Sequence, residues 1–325
     1  MRTLITPSLL LVAASFSARA AVDSGLLALV PSGTKIMTSV DIERARSSNF
    51  GQYLLRRLNS EDQSFQQLVQ KTGFDPRRDL QDFLFASPGP TGDNTQQPKF
   101  AILARGSFDQ DRIKAAAQTK GAVIQTYQGV DMFVNTSGRQ KTGFAFPDVG
   151  VAVLADVETL QQIIGNRANP TVLEPELQQL ISKAGTENDA WFVSLMPGSY
   201  LARHANQNKN PRAQQVQALQ AVTESSGGLR FGSLIQLSFD AITRSEKDAS
   251  ALADVVRFLA SFVQMQRQKD PHAELVASAL DTMNLKTDGA AMHLGLSLPE
   301  KNLEQFADEH GPAVGASHSP KPTTR

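Results

Sequence analysis

The sequence predicts an α+β protein of two similar units, each an antiparallel sheet of hairpins covered on one face by helices. Three observations predict it. First, residues 283–309 carry a tight turn at Asp288-Gly289, then Met292, Leu294, Leu296 and Leu298 alternating with His293, Gly295 and Ser297. Pro299 then opens a helix faced by Leu303, Phe306 and Ala307. A period of two that gives way to helical spacing reads as strand then helix, and Asp-Gly tolerates the positive φ of a two-residue hairpin turn. Second, Leu252, Val255, Val256, Leu259, Phe262 and Val263 run down one helical face. Third, a looser copy of the closing hairpin, strand and helix lies about 140 residues upstream, a repeat-like spacing. There Gln128-Gly129 makes the turn, Val151 to Leu154 the strand, and Leu160, Ile163 and Ile164 the helix face.

The N-terminus predicts export. Arg2 gives a basic start, Leu4 to Phe16 is mostly apolar, and Ala18-Arg19-Ala20 offers a small-x-small cleavage pattern. That is the build of a secretory signal peptide over residues 1–20. Its apolar run is too short for the roughly 20 helical residues a bilayer core needs, so stable membrane insertion is not expected. The chain has no cysteine, which excludes a disulfide scaffold, a thiol nucleophile and any Cys-based zinc site. Removing Arg2 and Arg19 leaves the acids two ahead of the bases. That balance argues against a nucleic-acid partner, which calls for a basic stripe. The expected location is the bacterial periplasm or the exterior.

The first unit covers residues 21–167. Leu29 to Gly33 is a turn into a strand from Thr34 to Val40, and Asp41 to Phe50 is polar and poorly periodic. Helices follow near 51–58 and 62–71, with Gly73 placed to close the second. In Gly73-Phe74-Asp75-Pro76-Arg77-Arg78-Asp79-Leu80, Asp75 caps a short helix, Pro76 fits its first turn, and Asp79 complements its positive end. Strands are expected at 83–87 and 100–104, separated by a Pro- and Gly-rich loop from Ser87 to Pro98. Ser107, with Gln110 three residues on, caps a helix faced by Ile113, Ala116 and Ala117. Next come the hairpin from Val123 to Val134, strands at 143–146 and 151–154, and a helix from Val157 to Ile164.

Residues 168–189 form a helical linker begun by Pro175. The second unit, residues 190–310, opens with the strand 190–195, which holds the lone tryptophan, Trp191. A polar loop from Arg203 to Asn210 leads to a helix at Pro211, then a hairpin of strands at 222–231 and 234–242. Ser245 with Asp248 starts the long helix, and Asp270-Pro271 starts another with Leu275, Val276 and Leu280. Residues 311–325 read as a disordered tail. The helices begun by Ser107 and Ser245 repeat the spacing of the hairpins.

The Gly73 to Leu80 turn, the strand and Ser-capped helix after it, and the Tyr127-Gln128-Gly129 hairpin resemble a family of uncharacterised bacterial exported proteins built of repeated α+β units. That resemblance implies an envelope location and a non-catalytic role, and it brings no site residues.

Chemistry-bearing patterns are sparse. Ser32-Gly33-Thr34-Lys35, Ser47-Ser48-Asn49 and Lys141-Thr142-Gly143 match the S-x-x-K, S-x-N and K-T-G order of penicillin-binding proteins and β-lactamases. That chemistry needs the serine at a helix start, whereas here the tetrad enters a strand. A serine hydrolase using Ser32 and Lys35 is therefore the alternative, not the leading reading. His204, His272, His293, His310 and His318 show no ligand spacing, and Asp308-Glu309-His310 are adjacent residues that diverge on a helix. The glycines from Gly227 to Gly232 lack nucleotide-loop spacing. No cofactor, metal or catalytic residue is assigned. The 252–263 face could meet a membrane surface, though packing on its own sheet is preferred. The loops at 87–98 and 203–210 are the expected contact loops. The reading is an exported, non-catalytic binding or scaffolding protein, with another envelope protein as a conceivable partner.

Overall fold

The computed structural model describes residues 22–57, 63–89, 99–137, 141–199, 218–267 and 271–310. The expected signal peptide (1–20), the tail (311–325), most of the 87–98 loop, the 203–210 loop and the Pro211 helix start lie outside these residues.

Twelve strands form one continuous sheet in the order β11-β12-β10-β9-β8-β1-β2-β3-β7-β6-β5-β4. The strands are β1 Ile36–Asp41, β2 Leu80–Ser87, β3 Ala101–Gly106, β4 Val123–Tyr127, β5 Val130–Asn135 and β6 Thr142–Asp148. They continue with β7 Val151–Asp156, β8 Ala190–Ser194, β9 Val222–Arg230, β10 Leu234–Thr243, β11 Asn284–Asp288 and β12 Ala291–Pro299. All neighbouring pairs are antiparallel. A separate sheet in each unit is therefore corrected to a single sheet joined where β1 pairs with β8, Thr38 opposite Phe192. The helices are α1 Ser24–Leu29, α2 Ile42–Ser47, α3 Asn49–Arg57, α4 Gln63–Thr72, α5 Pro76–Asp79, α6 Gln110–Thr119, α7 Val157–Asn166 and α8 Pro175–Glu187. After them come α9 Glu246–Gln266, α10 Pro271–Leu280 and α11 Glu300–His310.

Strand periodicity assigns the two faces. On one face, Val134, Ala155, Ala101, Ala86, Met37 and Val193 fall in one cross-strand row, and all are buried. With Leu84, Leu103, Val153 and Trp191 they meet Leu26 of α1, Leu160, Ile163 and Ile164 of α7, and Leu177 and Ile181 of α8. Beyond β8 the same row turns polar, through Ser226, Asp240, His293 and Lys286. The second core lies on the opposite face, where Ala241 and Met292 pack against Leu252 and Ala253 of α9. On that opposite face the first half carries a chain of aromatic contacts: Phe74, Phe108, Phe146, Phe144 and Phe133, with successive ring centroids 5.1–5.8 Å apart.

Several local expectations are corrected. The 168–189 linker is part of the first core, because α8 buries Leu177, Ile181 and Ala184. Helix α1 precedes the Leu29–Gly33 turn, in a stretch given no element from the sequence, and α2 occupies chain read as irregular; each is started by an aspartate (Asp23, Asp41) whose side chain accepts from a free backbone N–H. Asp109, not Ser107, caps α6. The N–H of Ser107 donates to the Asp79 carbonyl at 2.8 Å, which keeps the chain extended for two more residues. Gln128 and Gly129 both take positive φ, as expected. In the last hairpin Asp288 pairs with Ala291, so the turn is Gly289-Ala290 and only Gly289 needs positive φ. Asp75 and Ser245 cap α5 and α9 as expected.

Candidate functional site

The seam between the halves gathers an unusual set of charges. Alternation along β1 puts Asp41 on the same face as buried Met37, and the register sets Asp82 of β2 directly opposite Asp41. Asp189 enters at the start of β8, where its backbone carbonyl accepts from the Asp41 N–H at 2.9 Å. Asp23, the cap of α1, completes the group. These four carboxylates line a small pocket of about 40 Å³ with Ser39, Arg44, Thr186, Asn188 and Trp191. That volume suits a water- or ammonium-sized group.

Three of the four carboxylates have cationic partners. Asp23 accepts from Arg105, and its oxygen also accepts from the Leu26 N–H at 3.0 Å. Burial raises the Asp23 carboxyl, but these hydrogen bonds outweigh it and hold the group below its ordinary range. Arg44 reaches Asp41 and Asp189, both at 3.3 Å, and Asp189 also accepts from the Phe231 N–H at 2.7 Å. Asp82 differs. Burial, then the negative charges of Asp41, Asp23 and Glu43, push its carboxyl up to about 6, against a pull from Arg105.

A second hollow adjoins the pocket. Val22, Leu27, Ala28, Leu173 and Ile181 line a cavity of about 420 Å³ between α1 and α8, and it shares Val22, Gly185 and Thr186 with the carboxylate pocket. The size lies in the range of small-molecule sites, and its lining is mainly apolar. The two hollows lie side by side and share a wall, in which Val22 packs against Gly185.

The sequence motifs do not converge. Ser32 is exposed in the turn before β1, and the Lys35 Nζ is held by both oxygens of Glu174 at 2.5 and 2.6 Å. Ser47 and Ser48 lie beyond the far end of β1, about 20 Å away for a six-residue strand. There Ser47 Oγ donates to the Arg44 carbonyl, while Ser48 Oγ donates to the Ala45 carbonyl and accepts from the Gly51 N–H. Thr142 and Gly143 belong to β6, on the far side of the first half. Of the histidines, only the side chain of His293 falls among the described residues. Its Nδ1 lies 2.6 Å from Asp240, whose other oxygen accepts from Lys183 at 2.6 Å. Ser226 sits opposite Asp240 on the other side, so Asp240 stands between Ser226 and His293. The serine and histidine are two strands apart, about 9.5 Å, out of proton-transfer reach. Among the described residues no group of three or more His, Cys, Asp or Glu is placed to hold a metal ion.

No family model and no curated sequence matches this chain. A solved structure does. TP0453 in crystal form IV superposes with a TM-score of 0.50 at 11% identity, covering 86% of this chain and 94% of that one. Crystal form I of TP0453 gives a TM-score of 0.47 at 9% identity, over 87% and 96%. The likeness to form IV is one of fold alone.

The face of α9 divides. Leu252 is buried, but Leu259 and Phe262 are 45% and 46% exposed, and Met265 is 68% exposed. The expectation that the whole 252–263 face packs on the sheet is corrected. The last turns of α9 lie beside α10 instead, where Gln264 Nε2 donates to the Ala277 carbonyl at 3.1 Å and to Asp281 at 3.0 Å. Among the described residues no helix is long and apolar enough to cross a membrane.

The seam carboxylates were missed because which strand lies beside which is invisible in the sequence. One signal was available: Asp41 continues the alternation of Met37 and Ser39, and a charge in phase with a core-facing strand marks a site.

Proposed function

We propose that the chain is an exported, non-catalytic binding or scaffolding protein of the bacterial envelope, and that the α1/α8 cleft is its ligand site. The ligand class is a small amphiphile with a cationic head. The observation that carries this reading is the adjacency of an apolar hollow and a carboxylate-lined pocket, whose shared wall is Val22, Gly185 and Thr186. An ammonium head fits beside Asp82, and an alkyl or aromatic tail fits between α1 and α8. The non-catalytic part is supported by how the reactive groups are engaged: Lys35 is paired, the Ser47 and Ser48 hydroxyls donate to the Arg44 and Ala45 carbonyls, and Asp240 separates Ser226 from His293.

Thermal shift with primary alkylamines against matched carboxylic acids tests the site. Amines should raise the melting temperature, acids should not, and Asp82→Asn should abolish the amine effect. Equal responses to both series, or an unchanged response in Asp82→Asn, contradicts the assignment. Export is tested separately by N-terminal sequencing of the chain recovered from a bacterial periplasm, which should begin at Ala21.

The repeat also belongs to this reading. Moving outward from the seam, one side runs β1-β2-β3-β7-β6 and the other β8-β9-β10-β12-β11, with α1 and α8 each preceding the first strand. We infer that both derive from one unit; the counterpart of the Gly289 turn is then Val149-Gly150 between β6 and β7, not Gln128-Gly129 as the sequence suggested, and the β4-β5 hairpin is particular to the first copy. The exposed end of α9 favours a second reading, a membrane-surface protein. Sedimentation with liposomes tests it: pelleting of the wild type but not of Phe262→Ser supports it, and no pelleting removes it.

A further inference from the structure

We propose that β4 is a self-association edge, at which two copies of the chain pair β4 against β4 antiparallel about Gln125. The two outer strands of the sheet are unlike. β11 carries Lys286 and Asp288 and lies beside α9, and charge and helical cover are ways an edge is kept from pairing. β4 reads Val-Ile-Gln-Thr-Tyr, has no charge, and exposes Val123 at 46% and Ile124 at 44%. Uncharged, β-branched edges of this kind are templates for strand addition.

The register decides the partner. Tyr127 and Val130 close the two-residue hairpin, so the backbone groups of Val123, Gln125 and Tyr127 turn inward to β5. Those of Ile124 and Thr126 turn outward. A two-fold axis at Gln125 sets Ile124 of one copy opposite Thr126 of the other, which matches four outward N–H and C=O groups at once. The same axis places Val123 across from Tyr127 on one face, an aromatic against a β-branched residue, a favourable cross-strand pair. Just outside the strand Ala122 meets Gln128, so no like charges collide. Isologous pairing of this kind closes on itself as a dimer. Five residues fall short of the roughly 1,200 Å² that a stable interface buries, so the association is concentration-dependent.

The absence of native cysteine gives a clean test. Gln125 is a non-hydrogen-bonded position on the two-fold axis, where opposed Cα atoms lie about 4.5 Å apart, within disulfide reach. Under mild oxidation Gln125→Cys should form a covalent dimer at least about tenfold faster than Thr287→Cys at the other edge, because pairing raises the local thiol concentration. Adding Ile124→Lys to the Gln125→Cys chain should return it to the Thr287→Cys rate, with circular dichroism unchanged. Equal rates for the two single variants, or an unchanged rate in the Ile124→Lys double variant, overturns the proposal.

Discussion

The two halves of the sheet bury opposite faces. In the first half α1, α7 and α8 close over the row that includes Ala101, Ala86 and Met37. In the second half α9 closes over Ala241 and Met292 on the other side. On the face that α1 and α8 cover, the second half presents Asp240, His293 and Lys286 instead. The two cores therefore do not merge. The halves are joined by the β1·β8 ladder, by Arg44 between Asp41 and Asp189, and by α3 against α11, where Tyr53 Oη donates to the Glu304 carbonyl and Asn49 Nδ2 to Glu300. A junction built from backbone pairing and charge leaves room for a polar cleft that a shared apolar core would fill.

Substitutions that separate the two kinds of region should rank accordingly. The largest loss belongs to the closed core. Ile163→Ala, at a position with no exposure, should cost about 2–5 kcal/mol in urea unfolding. The seam comes next. Arg44→Ala leaves the buried Asp189 carboxylate without its cation and should cost on the order of 1–3 kcal/mol at neutral pH.

Asp82→Asn acts in the other direction. The folded chain holds the Asp82 proton up to about 6, against an ordinary 3.8, so between those values the folded state binds a proton that the unfolded state has released. Stability therefore falls as pH rises through this window and levels off above it. The asparagine variant should match the wild type below the window and exceed it by on the order of 1–2 kcal/mol above, discounted for partial exposure. Unfolding curves at acid and neutral pH check both ends. The smallest effect belongs to the exposed end of α9: Phe262→Ser should change stability by less than about 0.5 kcal/mol, as a surface substitution does.

Periodicity made the elements legible. The Val123–Val134 hairpin, the Asp75 and Ser245 caps and the alternation of β12 all stand where local chemistry puts them, because each depends on neighbours within a few residues. The seam was not legible. Asp41 and Asp82 are opposed only because β1 and β2 pair across four intervening helices, and Asp189 joins them only because β8 returns to β1. The same distance in sequence hid the role of α8, whose apolar residues were visible although the α1 and β8 surfaces they cover were not. On α9 the pattern identified the helix, but where the sheet beneath it ends is set by strands elsewhere.

The pairing of β1 with β8 is the claim on which the rest stands, and it can be read directly. Thr38 and Phe192 are opposed in a non-hydrogen-bonded pair, flanked by the Leu195 N–H to Lys35 carbonyl bond and the Asp41 N–H to Asp189 carbonyl bond. Opposed cysteines at such a pair lie within disulfide geometry. In an otherwise cysteine-free chain, the Thr38→Cys/Phe192→Cys variant should oxidise rapidly to an intramolecular disulfide with its circular dichroism unchanged. A folded double variant that keeps two free thiols under the same oxidant contradicts a continuous sheet.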